Sequence, residues 1–132
     1  MRRWPERRNT YPSFGKVLTS TDAVNLSFTL EFKRNLRALA KKYRSIRVDV
    51  QPLINQLVAG ELPGDQIQGV SLAMFKVRLK NRDIQKGKRS GYRCIYYLKT
   101  RDDVILVTIY SKSEQSDVSI TRLQTILREM GF

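Results

Sequence analysis

Phe75-Lys76-Val77-Arg78-Leu79-Lys80 alternates apolar and basic residues without a break. In a strand that pattern sets Phe75, Val77 and Leu79 on one face and Lys76, Arg78 and Lys80 on the other. One strand therefore presents three cations in a row. Asn81 to Gly91 follows as a turn-like stretch with two glycines and further cations, among them Lys88 and Arg89. Tyr92-Arg93-Cys94-Ile95-Tyr96-Tyr97-Leu98-Lys99 reads as a second strand, Lys99 to Asp103 as a turn, and Val104-Ile105-Leu106-Val107-Thr108-Ile109-Tyr110 as a third. Three such strands joined by turns predict an antiparallel meander. The third is apolar at nearly every position, which predicts a central strand covered on both faces.

Working outward, Leu26-Ser27-Phe28-Thr29-Leu30-Glu31-Phe32 alternates as a first strand. Leu36, Leu39, Ala40 and Tyr43 mark one helix, and Val50, Leu53, Ile54, Leu57 and Val58 a second that stops at Gly60. Pro52 fits a helix most readily in its first turn, which predicts a start near Asp49. Ile120, Leu123, Ile126, Leu127 and Met130 give a closing amphipathic helix with Ser119 as N-cap and Gly131 past its end. The predicted order is β-α-α-β-β-β-α, an α+β fold with an antiparallel sheet packed against helices. Residues 1–24 hold two prolines and no periodicity, so they read as a flexible N-terminal extension ahead of a domain at 25–132.

At 132 residues, with 41% hydrophobic and 28% charged side chains, the chain has material for one core and one domain. Its net charge is +13, and that charge is blocked. Residues 1–47 carry +9, 48–75 carry −3, 76–93 carry +7 and 94–132 are neutral. Such a distribution points to a polyanionic partner. A lone cysteine, Cys94, and no histidine exclude a disulfide scaffold, a zinc finger and histidine-based acid–base catalysis. No metal ligand set and no cofactor are expected. The basic amino end lacks the apolar stretch of a signal peptide, and no run is long enough to span a membrane, so the expected compartment is the cytoplasm.

The helical pair ending in Gly60-Glu61-Leu62-Pro63-Gly64-Asp65, the Phe75-Lys76-Val77-Arg78 strand, Gly87-Lys88-Arg89-Ser90-Gly91-Tyr92-Arg93, and Thr108-Ile109-Tyr110-Ser111-Lys112-Ser113-Glu114-Gln115-Ser116-Asp117 together resemble the RelE/HigB-like toxins of bacterial type II toxin–antitoxin modules, within the RelE/ParE superfamily. The resemblance covers about residues 25 to 130. It implies the RelE-like microbial ribonuclease architecture and an endoribonuclease that enters the ribosomal A site and cuts mRNA. It implies as partners the ribosome, its mRNA and a cognate antitoxin, often one with a helix-turn-helix domain. The positions that match the family's functional residues are Lys76, Arg78, Arg93 and Lys112. Two departures are Ser113 and Ser119, where the best-studied members carry an arginine past the last strand and a tyrosine near the final helix.

Metal-independent RNA cleavage needs a base for the 2′-hydroxyl, cations for the phosphorane and an acid for the leaving 5′-oxygen. Arg78 and Arg93, on adjacent strands, suit the phosphorane, since a guanidinium grips two phosphate oxygens at once. Lys76, crowded by like charges, and Glu114 are alternative bases, and Lys112 is a candidate acid. Lys80, Lys88, Arg89 and Tyr97 are candidate RNA contacts. The resemblance also admits a ParE-like inhibitor of DNA gyrase, which the basic strand disfavours, and the charge alone would fit a basic RNA-binding protein that catalyses nothing.

Overall fold

The computed structural model describes residues 24–84 and 90–131. Its elements are β1 (Asn25–Phe28), α1 (Leu30–Lys42), α2 (Ile46–Val58), β2 (Asp65–Gln66), β3 (Met74–Leu79), β4 (Tyr92–Thr100), β5 (Asp103–Ser111) and α3 (Ile120–Glu129). The five strands form one sheet in the order β1-β5-β4-β3-β2. The fold is α+β, and β3, β4 and β5 are the antiparallel meander that the alternation predicts.

The sheet as a whole is mixed, which corrects the all-antiparallel reading. β1 pairs with β5 in parallel, Asn25 opposite Asp103 through Phe28 opposite Leu106. Strand direction is not encoded in a four-residue alternation; a long helical connection permits a parallel return that a tight hairpin does not. The short β2 is a further strand, antiparallel to β3 through Asp65 opposite Lys76 and Gln66 opposite Phe75. With two residues it is too short to leave a periodic signal.

Local chemistry also ends β1 early. Its alternation runs on to Phe32, yet the strand stops at Phe28 because Thr29 acts as the cap of α1. The Thr29 hydroxyl accepts from the Phe32 amide at 2.9 Å and donates to the Val107 carbonyl at 2.6 Å, so one side chain both starts the helix and ties it to β5. α2 departs from expectation in the other direction. It begins at Ile46 and holds Pro52 well inside. The proline removes the amide that would meet the Val48 carbonyl, and Val48 and Pro52 are both on the solvent side. Burial of Ile46, Asp49 and Val50 on the opposite side favours the extra turn.

Two cores sandwich the sheet. Phe32, Leu36, Leu39, Ile46, Leu53, Ile54 and Leu57 of α1 and α2 pack on Val77, Leu79, Tyr92, Cys94, Tyr96, Val104, Leu106 and Ile109. Leu123, Ile126 and Leu127 of α3 pack on Met74, Ile95, Ile105, Val107 and Tyr110 on the other face. β5 thus feeds both cores from between two neighbours, as its continuous apolar run predicts. Ser119 caps α3, accepting from the Arg122 amide at 3.0 Å, and Gly131 follows with φ of 88°.

An irregularity in β5 decides the direction of Tyr110. Ile95 pairs with Thr108 and Tyr96 with Leu106, which leaves Val107 as an extra residue, a β-bulge. The bulge resets the alternation: Val104, Leu106 and Ile109 face α1 and α2, whereas Ile105, Val107 and Tyr110 face α3. Val24 packs half-buried against the helical core; the rest of the N-terminal stretch, residues 1–23, lies outside the described residues. Among the described residues no helix is long and apolar enough to cross a membrane.

Candidate nucleic-acid interface

Register brings the cations of the meander together. Arg78 stands directly opposite Arg93, and Arg93 directly opposite Tyr110. The three form a row across β3, β4 and β5 on the α3 side of the sheet, with side chains roughly 5 Å apart at Cβ from one strand to the next. Lys76 is on the same face of β3, two residues before Arg78, and Lys80 follows the strand's end, exposed. α3 covers the Met74, Ile95 and Val107 part of this face. Arg78 is exposed, so the row opens to solvent at its β3 end, whereas Arg93 and Tyr110 are buried.

Arg93 is 6% exposed, and its Nη1 donates to the Tyr92 carbonyl at 3.2 Å. Burial first, and the facing Arg78 charge second, hold its guanidinium below the ordinary arginine value, while Tyr110 acts in the opposite direction. Like charges directly opposed across strands destabilise a sheet. The facing Arg78 and Arg93 charges therefore repel one another, and an anion bound over both would offset that repulsion.

Tyr110 closes the row. It is 5% exposed, and its hydroxyl donates to Asp117 Oδ1 at 3.3 Å. Burial and then the Asp117 charge push its phenol up to about 12, so it keeps its proton at neutral pH. The same Asp117 oxygen accepts from Lys76 Nζ at 3.0 Å and from the Val118 amide at 2.8 Å. The Lys76 hydrogen bond, then that of Val118, hold the Asp117 carboxyl below the usual carboxylate range, so it is ionised at neutral pH. Asp117 belongs to the loop after β5, where Lys112 Nζ donates to the Ser116 carbonyl at 3.1 Å and Gln115 Nε2 to the Asp117 carbonyl at 2.9 Å.

The candidate residues thus separate into groups. Lys76, Arg78 and Arg93 share one face within two rows of the sheet, and Lys80 extends the line. Lys112 is exposed on the loop that carries Asp117. Glu114 turns the other way: its Oε2 accepts from Lys42 Nζ at 2.7 Å at the end of α1, the helix on the opposite face. Tyr97 shares the face of Arg93 but sits opposite Met74, half-buried against the α3 core, about four residues or 13 Å along the strand. Lys88 and Arg89 lie outside the described residues.

Sequence reasoning misses two members of the group, Tyr110 and Asp117. Unbroken alternation from Val104 would send Tyr110 to the α1 side; the bulge at Val107 sends it to Arg93 instead. Asp117 carries no periodic signal, only its place in a polar loop. Among the described residues no three His, Cys, Asp or Glu side chains are grouped to hold a metal ion. The row's own chemistry is that of guanidinium, ammonium, phenol and carboxylate. No protein-family model matches the chain.

Proposed function

We propose that the chain is the toxin of a type II toxin–antitoxin pair, a RelE/HigB-like endoribonuclease that cuts mRNA on the ribosome in the cytoplasm and is silenced by a cognate antitoxin. The observation that carries this reading is the Arg78–Arg93–Tyr110 row with Lys76 beside it. Two opposed guanidiniums on adjacent strands suit a phosphate whose charge grows during reaction. In that reaction the 2′-oxygen attacks phosphorus, the bond to the 5′-oxygen breaks, and a 2′,3′-cyclic phosphate remains. Arg78 and Arg93 bear the charge of the phosphorane. Tyr110, protonated and in the row, or Lys112 from the neighbouring loop, returns a proton to the leaving 5′-oxygen. Lys76, released from Asp117 and present as its free amine, takes the 2′-hydroxyl proton and becomes the ammonium; Glu114, held by Lys42 on the far side, does not serve.

A second reading rests on the Lys76–Asp117 pair. A lysine held by a carboxylate is a charged lysine, a good phosphate contact and a poor base, which fits a protein that binds RNA without cutting it. Adding the purified chain to a translating extract and mapping mRNA ends by primer extension separates the two. New discrete ends bearing cyclic phosphate support the nuclease. Intact transcripts with ribosome-bound protein support the binder, and intact transcripts with broken DNA in expressing cells support a gyrase poison.

A further inference from the structure

We propose that Asn35 is a positioning residue for the cleavage described above: it pins the bulge at Val107 and so keeps Tyr110 in the row with Arg93. β1 ends at Phe28, opposite Leu106, and among the described residues no strand lies beside the outer edge of β5 beyond that point. The cap and second turn of α1 take that strand's place. The Thr29 amide donates to the Leu106 carbonyl at 3.1 Å and the Thr29 hydroxyl to the Val107 carbonyl at 2.6 Å. Asn35 Nδ2 then donates to Thr108 Oγ1 at 3.1 Å and to the Ile109 carbonyl at 3.2 Å. Four consecutive residues of β5, the extra Val107 among them, are thus tied to one helix.

Hydrophobic pattern does not supply this phase. A shift of one residue moves every side chain to the other face, and β5, apolar and buried on both faces, loses little burial by it. Without the bulge Ile109 turns toward α3 and Tyr110 toward α1. Room for the ring exists there, in a cleft of about 210 Å³ between α1 and the end of β5, walled by Glu31, Asn35, Ala38, Leu39 and Glu114. Asn35 therefore lines the space from which it keeps the phenol. Its two amide hydrogens serve three acceptors, the third being Glu31 Oε2 at 3.2 Å, and Glu31 is itself held by Arg122 of α3 at 2.9 Å. The donor is thus oriented from both sides of the sheet. Thr29 shares the task but also caps α1, so losing it would loosen helix and bulge together. Asn35 is the residue that isolates the effect on Tyr110.

The inference rests on the proposed function only for the part Tyr110 plays in cleavage; the placement of the ring is read without RNA. The test is NMR of the full chain labelled at tyrosine rings and at Ile, Leu and Val methyls, where NOEs should join the Tyr110 ring to the α3 core. Asn35→Leu and Asn35→Ala, which remove the donor with and without its volume, should replace them with NOEs to Leu39. Both should lower single-turnover cleavage by about tenfold or more with ribosome binding retained, and Asn35→Gln, which keeps the donor, should recover part of the loss. Leu36→Ala is the comparison for plain loss of α1 packing: it should lower the urea midpoint at least as far and keep the Tyr110 NOEs to α3. In a Tyr110→Phe background Asn35→Leu should cost no further cleavage, since it acts through the phenol. Overturning results are Tyr110 NOEs unchanged in both donor-less variants, the same loss of those NOEs in Leu36→Ala, or rate losses that multiply in the double variant. If the wild-type chain cuts no RNA while Asn35→Leu turns Tyr110 over, the nuclease reading fails and the anchor stands; cleavage with Tyr110 unmoved by Asn35→Leu removes the anchor alone.

Discussion

One oxygen of Asp117 holds the Lys76 ammonium at 3.0 Å and the Tyr110 hydroxyl at 3.3 Å. A loop carboxylate thus stands where an RNA phosphate would meet the cationic row. The Asp117 side chain is 63% exposed, so the ion pair adds little to stability. Its effect is on the potential of the face: with Asp117 in place, one cation of the set is already neutralised.

Asp117→Asn should therefore tighten binding of a short single-stranded RNA, and should steepen the fall of log K with log salt by about 0.7, one further phosphate contact. Fluorescence anisotropy at several salt concentrations measures both. The wild-type chain should approach the variant in acid. The folded carboxyl is depressed, so the contact is intact above the ordinary carboxylate range and is lost as pH falls through its lowered value. Weaker binding in the variant would show that Asp117 orders Lys76 rather than competing with RNA.

Glu114→Gln should leave the cleavage rate and its pH profile unchanged. Its carboxylate is engaged by Lys42 across the sheet from Arg93, and both side chains are well exposed. Single-turnover cleavage between pH 5 and 9 checks this; loss of an acidic limb from the profile would restore Glu114 as the base.

Much of the fold is legible in the sequence because the meander, the helix stripes and the Ser119 cap are local patterns of period two or 3.6. The juxtaposition of Lys76, Arg78 and Arg93 follows from strand alternation and adjacency alone. What escapes are features set by tertiary contacts. The parallel return of β1 depends on the path of two helices, α2 reaches back to Ile46 for buried area, and Tyr110 changes face through a bulge that no residue type announces. The side of the sheet that Glu114 takes escapes for a related reason, since proximity in sequence to Lys112 says nothing about which way a loop side chain turns.

Gly91→Ala should destabilise the chain by about 1–3 kcal/mol, because a Cβ there would overlap the Leu79 carbonyl and come within 3.0 Å of the Asn81 amide nitrogen, both backbone atoms. Strands β3 and β4 would have to part beside the Arg78–Arg93 pair, so cleavage should fall too. Gly60→Ala is the control: its new Cβ meets nothing within 4 Å, and its cost is only that of φ near +90°, about 1–2 kcal/mol, with cleavage retained. Urea titration of both variants gives the comparison.

Tyr110→Phe keeps the buried ring and removes the hydroxyl. Asp117 Oδ1 retains Lys76 and the Val118 amide, so stability should change by less than about 1 kcal/mol. Cleavage should fall by about 10- to 100-fold if the phenol protonates the leaving oxygen. A full rate in the presence of normal binding would pass that role to Lys112.

Arg93 decides between a clamp on the reacting phosphate and a passive contact. Its guanidinium is buried beside Arg78 and Tyr110, fixed before substrate arrives, so its contribution should grow as charge develops on the phosphorane. Arg93→Ala should then reduce single-turnover cleavage by about 10² to 10³ and weaken ribosome binding only modestly. Arg93→Lys should recover little, since an ammonium cannot reproduce the two-pronged grip, although it preserves charge and most of the buried stem. Urea unfolding of both variants guards against a trivial loss of fold. If Arg93 were a passive contact, binding and cleavage would fall together, by an amount that shrinks as salt rises, and lysine would restore most of both. Equal losses in the two quantities, with rescue by lysine, would remove Arg93 from the reaction and leave it as one phosphate contact among several.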